Sequence, residues 1–451
     1  AGVRLGLQEE GHPELGSRGV GPRLDLLELD RTRGARGASM AGAQTAATND
    51  ASANFYNPAL LATIDGTEID IEYRYAVPRL RLNGKDLGVD VARGTRLAIA
   101  MPGTLFGMKI ASGVSVYLPD QALARIRSLS EQQPRFVLYD NRPQRLFLGV
   151  NFAISVSKKL SLGGGLGYMT ATGGVVTLRG RVGFPDAGNS DLALAVDVDV
   201  TTLAYPVAGF AYQLRPWLRI AGRYRGGVQP TTDLAVNIEG DIGAEGLEPI
   251  VADAKVQLRS ISLSHFQPTE LSAGIDALIT PGFRLAFDVS YYRWSEFANP
   301  ASRLQSAFEL GQFTELLQPP EETVLALTSF HDILVPRVGI EWLAYRGKSE
   351  SGTQSDWFAR AGYSFEPSPA PEQIGSTNFI DNDKHTSSLG LGLTLEDYSS
   401  ILVRPISFDV SFAHTRLADR KHRKLSPVDR VGDVLSSGSV WQFIATSKMK
   451  F

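Results

Sequence analysis

The chain has 451 residues, of which 45 are lysine or arginine and 48 are aspartate or glutamate, so its formal net charge is −3. This near balance argues against nucleic acid as a partner, because nucleic-acid-binding proteins carry a basic excess. The absence of cysteine excludes disulfide frameworks and thiolate metal sites. No apolar run reaches the roughly 18 residues of a transmembrane helix, and the length is compatible with several soluble domains or one large barrel.

The beginning of the chain has the composition of a plug. It opens on Ala1-Gly2 without a signal peptide, so we expect a mature exported protein. Residues 1–45 are rich in glycine and arginine, and residues 46–62 are small, weakly polar and include Asn57-Pro58-Ala59. Such a stretch has too few large side chains to bury a core of its own. Because a long strand-rich region follows, we interpret it as a plug that acts as a gate.

From residue 67 onward, apolar and polar residues alternate. In the first run Ile69, Ile71 and Tyr73 alternate with Asp70 and Glu72. Successive side chains of a strand point to opposite faces, so each strand has one apolar and one polar face. Because a transmembrane barrel turns its apolar face to lipid and its polar face to the lumen, the pattern favours such a barrel. It recurs in three later runs: residues 283–292, 389–396 and 406–413.

Short turns alternate with long connections along this region. Four tight turns are predicted, at Pro102-Gly103, Lys158-Lys159, Arg215-Pro216 and Pro281-Gly282. Six longer connections lie between them, at residues 119–143, 183–196, 241–254, 298–323, 367–386 and 418–435. This asymmetry predicts an all-β, antiparallel transmembrane barrel of about 14 strands, with the long loops outside the cell and both termini in the periplasm. The terminal Phe451 resembles the signal that barrel-assembly machinery recognises, so we expect that machinery as a partner.

Five segments carry motifs of a known family in order along the chain: residues 33–37, 49–59, 267–271, 283–297 and 360–385. Together they resemble the FadL (OmpP1/FadL/TodX) family of outer-membrane transporters of long-chain fatty acids and other hydrophobic compounds. It implies an N-terminal extension at residues 1–32, a hatch at 33–66 and the barrel at 67–451. It also implies a monomer in the outer membrane of a Gram-negative bacterium. Residues 1–32 extend beyond the family's usual hatch, and an added plug element and a solvated tail both stay open for them.

The resemblance implies passive transport without an enzymatic step or a cofactor. A hydrophobic ligand is captured by extracellular loops, enters the barrel and leaves sideways through a wall opening beside a kinked third strand. In this family the segment that corresponds to Asn57, Pro58 and Ala59 contacts that kink. Lateral exit avoids hydrating the ligand again, at about 25 cal/mol per Å² of apolar area. We place the third strand near residues 108–118 and its break at Gly113, since glycine weakens strands. The alternative for Gly113 is a packing position beside the hatch.

Apolar stretches in the long loops are candidates for ligand capture. Residues 120–131 and 301–317 carry apolar residues at helical spacing, and a third stretch surrounds residue 250. The alternative is that these residues pack on neighbouring loops. The candidate ligand-binding residues are Leu123, Ile126, Leu129, Leu247, Ile250, Leu304, Phe308 and Phe313.

Charged residues that point into the lumen allow two interpretations. A structural ion network can hold the hatch, because inward charges need partners or water. Alternatively, Arg223 or Arg360 pairs with the carboxylate of a fatty acid, a geometry that suits arginine. A basic run at residues 420–424 suggests contact with lipopolysaccharide and outer-membrane lipid, and a solvated loop is the alternative for it. No metal site and no lipase-like Gly-x-Ser-x-Gly motif is found. The competing functions are a narrow porin for polar solutes and a surface scaffold used in secretion.

Overall fold

The computed structural model describes residues 32–120, 130–139, 146–183, 190–243, 247–263, 265–315, 324–350, 352–397, 404–427 and 429–451. Two short helices, α1 (Ala35–Ser39) and α2 (Ala53–Tyr56), and a 3₁₀ helix, Pro58–Thr63, come first. The strands of the described residues follow: β1 (Glu68–Leu82), β2 (Lys85–Asp86), β3 (Ala92–Leu105), β4 (Met108–Pro119), β5 (Arg135–Phe136), β6 (Phe147–Ser155), β7 (Leu160–Gly183), β8 (Asp191–Arg215), β9 (Leu218–Arg225), β10 (Thr231–Gly243), β11 (Val251–Leu263), β12 (Thr269–Thr280), β13 (Phe283–Arg293), β14 (Arg303–Glu309), β15 (Ile333–Lys348), β16 (Gln354–Glu366), β17 (Phe379–Ile380), β18 (Lys384–Glu396), β19 (Ile406–His422) and β20 (Val434–Lys450). Two further 3₁₀ helices span Trp294–Glu296 and Gly311–Phe313.

Fourteen antiparallel strands close into a barrel. Each pairs with the next in the order β1, β3, β4, β6, β7, β8, β9, β12, β13, β15, β16, β18, β19 and β20. The last strand returns to the first, with Lys450 opposite Glu68 and Ser436 opposite Leu82. Closure pairs the backbone groups that an open sheet leaves exposed in the membrane. The predicted barrel and its strand number are confirmed.

The two faces of the barrel wall have opposite chemistry. In β1, Ile71 is 50% exposed while its neighbour Glu72 is fully buried, and in β13 Phe287 is 46% exposed while Asp288 is 1% exposed. A soluble sheet protein would bury the apolar face instead, so this inversion is typical of a barrel with lipid outside and a polar lumen. No helix of the described residues is long and apolar enough to cross a membrane.

One end of the barrel carries mostly short turns, and we call it the turn end; the opposite end is the loop end. The turns at 156–159, 216–217 and 281–282 confirm three of the predicted positions. Pro102-Gly103 lies inside β3 instead. The turn there is Phe106-Gly107, with φ angles of 51° and 75°, the backbone of a type I′ hairpin turn.

Residues 32–66 fill the lumen, and we keep the name hatch for residues 33–66. Almost every residue of this segment is buried. The wall makes room for it with glycines at inward positions. A Cβ at Gly113 would lie 2.7 Å from Asn54 Oδ1, and one at Gly163 or Gly209 would overlap the backbone of Pro58 or the side chain of Asn57. The hatch backbone therefore packs directly on the strands of the wall.

Connections at the loop end form two structures. A cap joins β5 and β17 as a parallel pair, beside an aromatic cluster of Phe266, Trp294, Phe297 and Phe330. Beyond the barrel rim, the outer halves of β7 and β8 continue into a five-stranded extension in the order β8, β7, β10, β11 and β14, with β10 parallel to β7. The helical spacing that we read in residues 301–317 was wrong for Arg303–Glu309, because pairing with β11 organises these residues as β14.

Candidate functional site

The Asn-Pro-Ala segment of the hatch is held by the middle of the wall. Asn57 Nδ2 donates hydrogen bonds to the carbonyl oxygens of Phe210 and Thr45, each at 3.0 Å. Its Oδ1 accepts a bond from Ala59 N at 3.1 Å and so caps the 3₁₀ helix. Pro58 packs on Gly163 of β7. These residues therefore contact β7 and β8. The 3₁₀ helix that they begin also contacts the third barrel strand, β4, where Leu61 lies beside Gly113.

The third barrel strand, β4, runs unbroken past Gly113. Gly113 pairs with Ala100 of β3 and with Asn151 of β6, and neither ladder shows a register shift. The predicted break at Gly113 is therefore not present in this structure. Asn54 and Leu61 of the hatch occupy the space above its Cα. Gly113 therefore packs against the hatch, which is the alternative that the sequence analysis gave for this residue.

A polar latch joins the hatch to β4 and β6. Asn54 Nδ2 donates to Ser115 Oγ at 2.8 Å and to the Gly149 carbonyl oxygen at 3.1 Å. Asn151 Nδ2 donates to Asn54 Oδ1 at 2.8 Å and to the Asn54 carbonyl oxygen at 3.0 Å. Sequence reasoning missed Asn54, Ser115 and Asn151. For Ser115 and Asn151 the only signal was a polar side chain at an inward position of an otherwise apolar or glycine-rich strand.

A cavity of about 80 Å³ lies on the loop side of this latch, and we call it the loop-side cavity. Asn54 and Phe55 of α2 form its floor. Its walls come from β3, β4, β6, β7, β8, β9, β12 and β13. They carry four aromatic rings, Tyr117, Phe147, Tyr205 and Tyr292, beside the charged groups of Arg33, Arg96, Arg225 and Glu270. Sites for small hydrophobic molecules commonly combine apolar and aromatic walls with a few placed polar groups.

Two arginines hold Phe55 at the floor of the loop-side cavity. Arg225 Cζ lies 4.2 Å from the Phe55 ring centroid, and its Nη2 donates to the Phe55 carbonyl oxygen at 2.8 Å. Arg223 Nη1 donates to the Phe55 carbonyl oxygen at 3.2 Å and to that of Tyr56 at 3.1 Å. Glu270 bonds both guanidinium groups. Arg223 is therefore an anchor of the hatch, as the structural alternative predicted.

A chain of ion pairs begins and ends on the hatch. Its members alternate in sign, in the order Asp50, Lys448, Asp409, Arg360, Glu341 and Arg36. Arg360 lies 2.7 Å from both Glu341 and Asp409. These pairs occupy the guanidinium of Arg360, so the structural alternative accounts for this residue as well. Such a chain places each buried charge between partners of opposite sign, as buried charges require.

Burial and charge shift the pKa values of two hatch residues. Burial alone would raise the pKa of Asp50, but the charges of Lys448 and Arg36 outweigh it and hold the pKa well below its ordinary value. Burial raises the pKa of Tyr56 to about 12. Tyr56 therefore stays neutral, and its hydroxyl accepts a hydrogen bond from Arg33 N at 2.8 Å.

The predicted capture residues fall into three groups. Leu304 and Phe308 lie on one face of β14. Phe313 packs in a small apolar cluster against β11, whereas Leu247 and Ile250 are 68% and 48% exposed. Leu123, Ile126 and Leu129 lie outside the described residues.

The extension that carries Leu304 and Phe308 has one apolar and one charged face. Strand register places Phe308 beside Val256, and Val236 beside Val176. The opposite face carries cross-strand ion pairs such as Arg179 with Glu239 at 3.0 Å. β8 adds an exposed apolar stripe, of which the part up to Val196 lies in a segment that we had predicted as a loop: Leu192, Leu194, Val196, Val198 and Val200.

Comparisons with known proteins agree with this architecture. A family model described as outer membrane protein transport protein (OMPP1/FadL/TodX) matches residues 28–444. A FadL homologue of Pseudomonas aeruginosa matches with a TM-score of 0.57 and 14% identity, over 96% of this chain and 99% of that one. The toluene transporter TodX of P. putida matches with a TM-score of 0.53 and 13% identity, over 93% and 99%.

A structure described as the CymD monoaromatic hydrocarbon channel matches with a TM-score of 0.54 and 15% identity, over 93% of this chain and 98% of that one. At these identities the structural likeness shows the fold alone. A search of curated proteins finds no match. Within the residues that the structure describes, no group of three or more histidine, aspartate or glutamate side chains could hold a metal ion.

Proposed function

Because the chain belongs to the OMPP1/FadL/TodX family of outer-membrane transport proteins, we propose that it is a passive channel for long-chain fatty acids or other hydrophobic molecules, gated by its hatch. The observation that carries this proposal is the loop-side cavity, which is lined by aromatic rings and closed below by Asn54 and Phe55. A polar porin would instead keep a water-filled lumen. Here residues 32–66 fill it.

The extension is the proposed capture surface. It lies at the loop end of the barrel, which we place outside the cell. Its apolar face offers Leu304 at 41% exposure and Val196 at 57%. Contiguous exposed apolar residues mark binding surfaces. The face lies on the same side of β7 as Leu166, which borders the loop-side cavity. Because Leu166 itself faces lipid, a ligand captured on this face must still cross the barrel rim or wall to enter the cavity.

The loop-side cavity must widen to admit a long ligand. Its volume of about 80 Å³ is well below the roughly 300–1,000 Å³ of pockets for drug-sized ligands. Phe55 is the side chain whose displacement would enlarge it, because it forms the floor and is only partly buried. We therefore interpret the structure as a closed state of the gate.

Lateral release through the wall is the proposed exit. The cavity borders on Val116, Leu148 and Leu166, which alternate with inward residues and therefore face lipid. The inward residues between them include Gly149 and Gly167, which leave the wall thin. This region of β4, β6 and β7 supports a wall opening close to the latch.

Calorimetry with the purified full chain in detergent tests the proposal. Oleate and toluene serve as the two ligands, and the hydrocarbon-facing variant Phe152→Ala serves as the control, because Phe152 is 64% exposed on the outer face. Saturable binding of at least one ligand by the wild type and the control is expected. Absence of binding for both ligands would contradict a transport function.

A second candidate function is supported by the edge of the extension. In the described residues, β8 pairs only with β7 from Asp191 to Pro206, and β9 joins it from Val207. This edge has no lysine or arginine, although edge strands are commonly protected by such residues. An extended segment of a partner could therefore add to it as a strand, as in a secretion scaffold.

A defined peptide tests this candidate. A fluorescent peptide that alternates lysine and valine complements the exposed Asp197 and Asp199 and the apolar stripe. Binding measured by anisotropy, and lost in Asp197→Lys/Asp199→Lys, would favour the scaffold. If the peptide does not bind, transport remains the one supported function.

A further inference from the structure

A second cavity lies at the turn end of the barrel, directly below the hatch, and we call it the turn-side cavity. Its volume is about 590 Å³. Ala62 and Thr63, at the end of the 3₁₀ helix, form its roof. Its walls come from the turn-end parts of β4, β6, β7, β8 and β9 and from the turn at 156–159. The segment from Asn54 to Thr63 therefore separates it from the loop-side cavity.

The turn-side cavity is lined by four cationic side chains and by no carboxylate. The cations are Lys109, Lys158, Lys159 and Arg219. The chain as a whole has more acidic than basic residues, 48 against 45, so this concentration is local. Positive charges around a concave surface attract anions more strongly than the same charges on an open surface.

The neighbouring groups leave most of this charge available. Lys109 Nζ lies 3.5 Å from Asp65, but both side chains are exposed, at 67% and 84%, and such pairs contribute little. Arg219 donates to Gln213 Oε1 at 3.1 Å and to the Ala46 carbonyl oxygen at 3.2 Å. Asp276 of β12 is its cross-strand neighbour, and that carboxylate lies 3.5 Å from Arg284. Hydroxyl groups of Ser155, Ser157 and Ser161 add further donors.

We propose that the turn-side cavity binds the anionic head group of an amphiphile, a carboxylate or phosphate attached to an acyl chain. The cations hold the head group, and Met108 and Val156 of the lining contact the start of the chain. The volume lies within the roughly 300–1,000 Å³ of ligand pockets. This inference rests on the proposed transport function, and it assigns anionic ligands a binding site beyond the hatch that neutral hydrocarbons do not use.

The position of the cavity at the turn end determines which ligands meet its charges. After lateral release, an anionic amphiphile can approach the turn end from the inner side of the membrane, where its head group meets four cations. A neutral hydrocarbon gains nothing from these charges. The same head-group chemistry can also reach the cavity from a phospholipid of the inner leaflet.

Binding to the full-length triple variant Lys109→Gln/Lys158→Gln/Lys159→Gln tests the proposal. Calorimetry compares oleate, methyl oleate and the soluble lipid dihexanoylphosphatidylglycerol. We expect the variant to bind the anionic probe about tenfold more weakly or worse, since it lacks three of the four cations that would hold the head group. Methyl oleate should bind wild type and variant equally.

The control variant Lys85→Gln/Lys348→Gln/Lys421→Gln removes the same charge from positions outside the cavity, and it should bind all probes as the wild type does. Loss of oleate binding identifies the transported ligand as the source of the anion, and loss of lipid binding alone identifies the membrane. Unchanged binding of both anions in the cavity variant would contradict the proposed anion site without contradicting the proposed transport function. Absence of oleate and methyl oleate binding in the wild type would overturn the transport function and this inference together.

Discussion

Asn54 and Asn151 bond to each other twice across the boundary between hatch and wall. Asn151 Nδ2 donates to the side-chain oxygen of Asn54 at 2.8 Å and to its carbonyl oxygen at 3.0 Å. One bond depends on the Asn54 side chain and the other on its backbone, so Asn151 holds both the position and the rotamer of Asn54. The floor of the loop-side cavity is thereby attached to the wall next to which we propose release.

Replacing Asn151 with leucine should loosen this latch. Both bonds are lost and a buried Asn54 oxygen remains without them, which costs about 1–3 kcal/mol. We expect faster amide hydrogen exchange at residues 52–57, with β6 and β7 still protected. The control Asn237→Leu changes an amide in the extension and should leave hatch exchange as it is. Equal exchange in both variants would show that the latch does not hold the hatch.

Replacing Gly113 with valine should displace the hatch without breaking the wall. A Cβ there would lie 2.7 Å from Asn54 Oδ1 and 2.9 Å from Leu61 Cδ1. We expect reduced uptake of the ligand and increased exchange at residues 54–61. Gly103→Val is the matched control, because its Cβ would meet nothing closer than Ile110 at 3.8 Å. Normal uptake in Gly113→Val would show that Gly113 has no role in the gate.

Acid should weaken the attachment of the hatch through Asp50. The pKa of folded Asp50 lies below its ordinary value of 3.8, so its stabilising effect is fully present above that pH and is lost as the pH falls through the folded-state pKa. Asp50→Asn should cost about 1–3 kcal/mol at pH 7, because Lys448 keeps Asp409 as a partner.

The measurement is the conductance of single channels in planar bilayers, which reports leakage of ions past a loosened hatch. The wild type should conduct more at pH 3 than at pH 7. Asp50→Asn should conduct at pH 7 and should show a smaller change on acidification. A variant whose conductance at pH 7 matches the wild type would argue against a role for Asp50 in closure.

Replacing Phe55 with alanine should open the floor of the loop-side cavity. The ring is removed while Arg225 keeps Glu270 as a partner at 3.3 Å. We expect oleate to bind more tightly and toluene to bind about as before, as measured by calorimetry. Stability should fall by less than the roughly 3–5 kcal/mol of a fully buried Phe→Ala change, since Phe55 is only partly buried. Weaker oleate binding would instead assign Phe55 to ligand contact.

The amino-acid sequence by itself determined the barrel. Alternation such as Ile71 beside Glu72 is a local property, because successive side chains of any strand face opposite sides. Turn residues at 158–159 and 281–282 act locally as well, and an even number of strands follows from antiparallel closure. The charges that hold the hatch could also be assigned to the lumen, since inward positions follow from the same alternation.

Only the tertiary structure decided which residues meet across the lumen. Asn57 contacts Phe210 and Asn54 contacts Asn151 at separations of 153 and 97 residues, and no local pattern specifies such pairs. The helical spacing of residues 301–317 failed at Arg303–Glu309 for a related reason, because pairing with β11 outweighed the intrinsic pattern. Whether Gly113 breaks β4 or accepts the hatch depends on what packs above it, and that contact exists only once the barrel has closed around residues 33–66.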